Sequence, residues 1–436
     1  MKYYSLNKQS SIVNFAEATV KGQAPDKGLY FPETIPQLPK GFIENLKQYS
    51  KEEIGVVVMQ PYVGDSLPNA ELERIVAETI NFNFPLVKIN ENIHSLELFH
   101  GPTLAFKDVG ARFMSRCLGY FNRNNSQKVT VLVATSGDTG GAVANGFLGV
   151  EGVDVIILYP SGKVSPVQEL QLTTLGQNIT ALEVQGNFDD CQAIVKQAFM
   201  DADINAKLSL TSANSINVAR WLPQQLYYFY AHQQWQQIEP PVVCVPSGNF
   251  GNICAGMMAF ASGLPVKHFI AACNANDVVT NYLQTEQYQP KKAIATVSNA
   301  MDVGNPSNFV RIQQIFNNEF SPLKNKLSSI SISDEITRKT IARVYKDYNY
   351  TLDPHGAVAY FALENYQNQP INQSTNQLDG YILETAHPVK FPDVVEEAIG
   401  RKIAVPEEMK YLFEKQKESI LLSADYNDFK EWLMNK

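Results

Sequence analysis

Cysteine is scarce and unpaired in this chain: Cys117, Cys191, Cys244, Cys254 and Cys273 are scattered and form no CxxC pair. That excludes a disulfide-framed fold and a cysteine-based metal centre, and it leads us to expect a reducing compartment, the cytoplasm. Basic charge is also in deficit. Thirty-six Lys and Arg face 44 Asp and Glu, for a net charge of −8, the wrong sign for general attraction to nucleic-acid phosphates. The six histidines, at 94, 100, 232, 268, 355 and 387, lack metal-ligand spacing, and neither a GxSxG elbow nor a GxGxxG turn occurs. No apolar run approaches the ~18 residues of a membrane span. The opening MKYYSLNKQSSIVNFAEA has neither the apolar stretch of a secretory signal nor the arginines of a transit peptide. A small-molecule partner is expected, and neither nucleic acid nor membrane.

What is present is a regular α/β pattern in a chain of 436 residues, 44% of them hydrophobic, enough for two or three cored domains. The runs VTVLVA (129–134), VDVIILY (153–159), NITALEV (178–184), VVCV (242–245) and VKHFIAAC (266–273) read as buried strands. Between the second and third, SPVQELQLTTLG carries a capping serine, a proline suited to the first helical position and Gln168 to close a capping box. Strand, helix, strand in alternation implies parallel-type open sheets covered by helices. Residues 1–90 read as a mainly helical N-terminal extension without a sheet of its own, with SLPNAELERIVAETI its clearest helix. Two α/β domains, 91–235 and 236–436, follow, the second with a helical C-terminal part and a late strand, YILET (381–385). The polar NQPINQSTNQLDG (368–380) reads as a surface loop.

Four segments carry chemistry. Ser247, Gly248, Asn249, Phe250, Gly251 and Asn252 follow a strand and open a helix, so backbone N–H groups can converge on a phosphate-sized anion; a tight turn without ligand is the alternative. Thr135 to Val143 (TSGDTGGAV) has the same placing and suits a carboxylate or phosphate, although Asp138 is discordant in an anion cradle and reads equally as a helix cap. Lys107, between Phe106 and Asp108, is by base rate a snorkelling surface lysine; if buried, it becomes a nucleophilic amine able to form a Schiff base. Ser212 to Gln224 sets Ser and Asn at a helix start with Arg220 beyond, fit for a second anion or merely for capping. A buried amine beside a phosphate cradle is what pyridoxal phosphate requires.

Taken in order, HGPTLAFKD, ATSGDTG, SANSIN with Arg220, PSGNFGN, SNAMD and TAHPVKF resemble the threonine synthases, in their longer bacterial and fungal branch, over essentially the whole chain. The resemblance implies a pyridoxal-phosphate enzyme of the tryptophan-synthase β-subunit type (fold type II), with the cofactor in a cleft between the two α/β domains. It implies conversion of O-phospho-L-homoserine and water to L-threonine and phosphate. By the same resemblance Lys107 holds the cofactor and acts as general base, Ser247 to Asn252 cradle its phosphate, and Thr385 is the hydroxyl partner of its pyridine nitrogen. Ser136, Gly137, Asp138 and Thr139 fall in the segment for the substrate α-carboxylate; Asp138 marks the branch and is given no further role. Asn214, Ser215, Asn217 and Arg220 match the pocket for the substrate phosphate. A phospholyase releasing ammonia, and a non-catalytic phosphometabolite-binding protein, are the rival readings. No metal is expected, and the assembly is expected to be a monomer or homodimer.

Overall fold

Every strand expected from the β-branched runs forms in the computed structural model, which describes residues 1–370 and 378–436. Most of the polar segment expected as a surface loop, 371–377, lies outside the described residues. In chain order the strands are β1 (Lys2–Ser5), β2 (Val13–Asn14), β3 (Tyr30–Pro32), β4 (Leu86–Lys88), β5 (Ile93–Glu97), β6 (Val129–Ala134) and β7 (Val153–Pro160). They continue as β8 (Ile179–Gln185), β9 (Ser209–Thr211), β10 (Val242–Pro246), β11 (His268–Cys273), β12 (Leu327–Ser331), β13 (Gly380–Glu384) and β14 (Ile420–Ser423).

Eleven of them, β4 to β14, build two open sheets. One has the order β14-β8-β7-β6-β9, all parallel. The other runs β12-β11-β10-β13-β5-β4, parallel except for the antiparallel β4 edge. Side chains alternate between two buried faces, as a helix-covered sheet requires. In β6, Val131 and Val133 join one core while Leu132 and Ala134 join another; in β10, Val243 and Val245 part from Val242 and Cys244 in the same way.

The N-terminal extension is mainly helical, with Lys51–Val63 and Asn69–Thr79 its longest helices. It also holds a small antiparallel sheet, β2-β1-β3, which the sequence reading did not foresee. These strands are two to four residues long, too short for a period-two pattern to register. Sheet membership also departs from the contiguous division at residues 90 and 235. β4 and β5 join the six-stranded sheet, with β5 beside β13, and β14 returns from the C-terminal part to pair with β8. Among the described residues no helix is long and apolar enough to cross a membrane.

Candidate active site

The chemistry-bearing segments meet where β6, β10 and β13 end, the usual place for ligands in open parallel sheets. Residues 104–106 are zipped onto the stretch after β13: the Phe106 N–H donates to Thr385 O at 2.9 Å and the His387 N–H to Leu104 O at 3.0 Å. The Tyr227 hydroxyl donates to Phe106 O, and Leu104 sits at φ 55°, a strained position for a leucine. So held, Lys107 opens the helix Lys107–Asn122. Its Nζ lies 3.9 Å from Asp138 Oδ2, with 16% of the side chain exposed, and 5.4 Å from the centre of the Phe106 ring. This is not a snorkelling surface lysine. Burial pushes its amine pKa below the usual lysine value; Asp138 and Asp353 oppose that shift, while Lys390 and Arg220 reinforce it.

β10 leads into Ser247, whose N–H donates to Ala272 O at 2.8 Å and whose hydroxyl donates to Val245 O at 2.8 Å. Phe250 takes a left-handed φ of 61° and precedes the helix Gly251–Ala261 without any side-chain cap, so the first N–H groups of that helix remain available to an anion. Asn249 is occupied: its Nδ2 donates to Ser215 Oγ at 2.7 Å and its Oδ1 accepts from the Ser307 N–H at 2.6 Å. Asn252 accepts from the Tyr228 hydroxyl through Oδ1 at 2.9 Å, yet its Nδ2 is buried without a partner. A buried, unpaired amide costs free energy that an anionic ligand removes.

In the third segment Thr135 Oγ1 accepts from the N–H groups of Gly137 and Gly140 at 3.0 and 2.8 Å, which bends the loop. The helix N-cap is Gly137, with no side-chain cap, so neither Asp138 nor Thr139 caps it. The partly buried Ser136 and Thr139 hydroxyls make no hydrogen bond to the described residues. Asp138 is buried and ion-paired: its Oδ1 takes Lys390 Nζ at 2.7 Å and Gln168 Nε2 at 2.9 Å. Burial alone would raise its carboxyl; Lys390 and Lys107 outweigh that and hold it well below the usual carboxylate range.

The segment around Ser215 divides. Ser215 Oγ accepts from Asn249 and, at 3.2 Å, from Asn308, so the two anion-cradle candidates share a wall. Asn217 has its side chain fully engaged with backbone: Nδ2 donates to Thr19 O and Ser212 O, and Oδ1 caps Ala219. It anchors the segment and has no group left for a ligand. Arg220 is the opposite case. It is 2% exposed, its Nε and Nη1 are buried without partners, and burial lowers its pKa to about 10. A Cβ at Gly110 would lie 3.3 Å from its Nε, so the guanidinium rests against the first turn of the Lys107 helix. Thr385, 7% exposed, stands just past β13 with its hydroxyl free of partners among the described residues.

Sequence reasoning missed three contributors. Lys390 lies within the quoted TAHPVKF but was given no role. Gln168 closes the capping box of Pro166–Thr173 as expected and also binds Asp138. Arg311, fully buried, donates to the carbonyls of Ser215, Ile216 and Tyr30 and stacks 4.2 Å over Trp221, tying the second anion loop to the N-terminal extension. Among the described residues no acidic, histidine or cysteine cluster suits a metal.

The model for pyridoxal-phosphate dependent enzymes matches residues 83–375, and models for the threonine synthase N terminus and C-terminal region match 2–80 and 356–433. The threonine synthase of Escherichia coli is 42% identical over 437 aligned positions, covering 100% of both chains. Its crystal structure superposes with a TM-score of 0.91 at 41% identity, again over 100% of both chains. The pyridoxal-phosphate-bound threonine synthase of Brucella melitensis gives 0.92 at 34% identity, over 100% of this chain and 99% of that one.

Proposed function

The chain belongs to the threonine synthase family of pyridoxal-phosphate enzymes, lyases that turn O-phospho-L-homoserine and water into L-threonine and phosphate, and from that premise we propose how its residues divide the work. The donor set suits the cofactor: a buried amine on Lys107 for the aldehyde, and for the phosphate an uncapped helix N-terminus with the unpartnered Asn252 amide. When bound, pyridoxal phosphate supplies an electron sink for the bonding pair of the substrate Cα–H bond. Lys107 holds the cofactor at rest and, once freed, takes the Cα proton, a task suited to an amine that burial keeps neutral to lower pH. Ser247 to Asn252 hold the cofactor phosphate and Thr385 offers a neutral hydroxyl to the pyridine nitrogen. Ser136, Gly137 and Thr139 bind the substrate α-carboxylate.

Asn214, Ser215 and Arg220 hold the substrate phosphate until it leaves from Cγ, and Asn217 keeps that segment in place. The observation that carries this division is Arg220, a buried cation with two unpartnered nitrogens beside the Lys107 helix. Such a group is stable in function only with an anion to complete it.

The test is an absorption spectrum of the holoenzyme before and after O-phosphohomoserine, with phosphate, threonine and ammonia assayed together. A cofactor band that shifts, with phosphate and threonine in equal amounts, is the expected result. Ammonia in place of threonine would favour the phospholyase reading, and no cofactor band after added pyridoxal phosphate would overturn the role of Lys107. A second outcome concerns Gly248, where a Cβ would come within 2.6 Å of Met301 Cα. Gly248→Ala must push backbone apart, so the cofactor Kd should rise about tenfold or more, or about 1.4 kcal/mol, in a fluorescence titration of the cofactor-free chain.

For the domains, we propose a grouping by sheet, with the extension to about residue 80 packed on both. The compartment proposed is the cytoplasm, the assembly a monomer or homodimer, and nucleic acid is no partner of a chain with this charge.

A further inference from the structure

A buried ion pair sits inside this site beside Lys107. Lys390 has 0% side-chain exposure and Asp138 4%, with Lys390 Nζ 2.7 Å from Asp138 Oδ1. Lys390 Nζ also donates to Thr103 O at 2.8 Å, and Thr103 in turn binds Asp108, the neighbour of Lys107, through its N–H at 2.9 Å and its hydroxyl at 2.5 Å. One ammonium therefore joins three loops: the one after β13, the one after β6, and the segment that delivers Lys107. The two carboxylate oxygens are used differently. Oδ1 is saturated by Lys390 and by Gln168 at 2.9 Å, while Oδ2 faces Lys107 Nζ at 3.9 Å.

We propose that Lys390 is a positioning residue that fixes Asp138 as an anion aimed at Lys107, so that Asp138 Oδ2 stabilises Lys107 in its protonated form after it has taken the substrate proton. The inference rests on Lys107 as the base. Its physical content is charge placement. An isolated carboxylate in a loop meant for an anionic substrate would repel its guest; paired with Lys390 it adds no net charge, yet its nearer oxygen still favours an ammonium on Lys107. Asp138 and Asp353 face Lys107 with negative charge, Lys390 and Arg220 with positive. The arrangement lets Lys107 alternate between amine and ammonium without moving another proton. A buried pair of this kind is poor evidence of stabilisation, since desolvating both ions offsets their attraction, which directs attention to its place beside the reacting amine.

The test reads Lys107 itself. The pH dependence of its acetylation in the cofactor-free full-length chain, followed by mass spectrometry, gives its pKa in wild type, Lys390→Met, Asp138→Asn and the double variant. Asp138→Asn should lower the Lys107 pKa by about one unit, because the facing anion is gone. The double variant against Asp138→Asn isolates the direct repulsion between Lys390 and Lys107, and removing that cation should give a rise. With Asp138 present, Lys390→Met also frees the carboxylate from its place, so the shift it causes should lie clearly below that rise and bring Lys107 towards its value in Asp138→Asn. In the holoenzyme kcat should fall in Lys390→Met with KM little changed. The same shift from Lys390→Met in both backgrounds would overturn the proposal. Should that variant fail to fold, Asp138→Asn alone decides, and an unmoved Lys107 pKa there would overturn it. Failure of Lys107 as the base would appear instead as turnover retained by Lys107→Ala.

Discussion

Lys107→Ala should remove the absorption band of the lysine-bound cofactor and lower turnover by at least about 10⁴-fold, the joint loss of a covalent anchor and a general base. The fold should survive. Lys107 is the first residue of its helix, where a cation is unfavourable to the helix dipole, and its ion-pair partner Asp138 keeps Lys390 and Gln168. The melting temperature without cofactor should therefore stay near that of the wild type, which separates a chemical role from a structural one. Cofactor should still bind reversibly through Ser247 to Asn252, seen as quenching without the band. A persisting band, or turnover within tenfold of wild type, would remove Lys107 from the mechanism.

Arg220→Met should act with opposite signs on binding and on stability. With substrate present, a buried guanidinium bound to phosphate is lost, and breaking a buried charge pair costs about 3–5 kcal/mol, so KM for O-phosphohomoserine should rise by roughly 10²- to 4 × 10³-fold. Without substrate the side chain is a desolvated cation whose Nε and Nη1 have no partners. Methionine fills much of the same space without that penalty, so the free enzyme should be as stable as wild type or more so, by about 1 kcal/mol or more. Steady-state kinetics and thermal melts of the cofactor-loaded protein check both. An unchanged KM would make Arg220 structural.

The strands that the sequence revealed are those buried on both faces. β6, β7, β10 and β11 are nearly unbroken apolar runs because helices cover both sides of each sheet. β5 (IHSLE) and β12 (LSSIS) carry polar residues that hydrogen-bond inside the fold, as Ser95 does with Tyr350 at 3.0 Å and Ser329 with Ala271 at 2.8 Å, so composition hid them. β14 has exposed leucine and isoleucine and is a strand through its pairing with β8 alone. The glycine loops at 136–140 and 247–252 were legible because unusual backbone angles demand particular residues, and Phe250 at φ 61° is the position where that demand falls on a large side chain. What sequence could not supply was the direction of each polar side chain. The side chains of Asn217 and Asn249 look like ligand donors yet serve as braces, while Lys390, which by composition is one more solvated lysine, is among the most buried charges of the chain.

The return of β14 to the edge of β8 has a consequence for the order in which the protein comes off the ribosome. β8 ends at Gln185 and its outer neighbour begins at Ile420, so at ~5–20 residues per second that edge waits roughly ten to fifty seconds for roughly 230 residues to be made. Over that interval the nascent chain presents an open strand edge, the feature most prone to pair with other chains. Ile420–Ser423, made long after β8, are the residues that close it. A message cut short before codon 420 would leave a chain with every segment of the proposed site and the outer edge of β8 permanently open, and its fate would be decided by aggregation before chemistry.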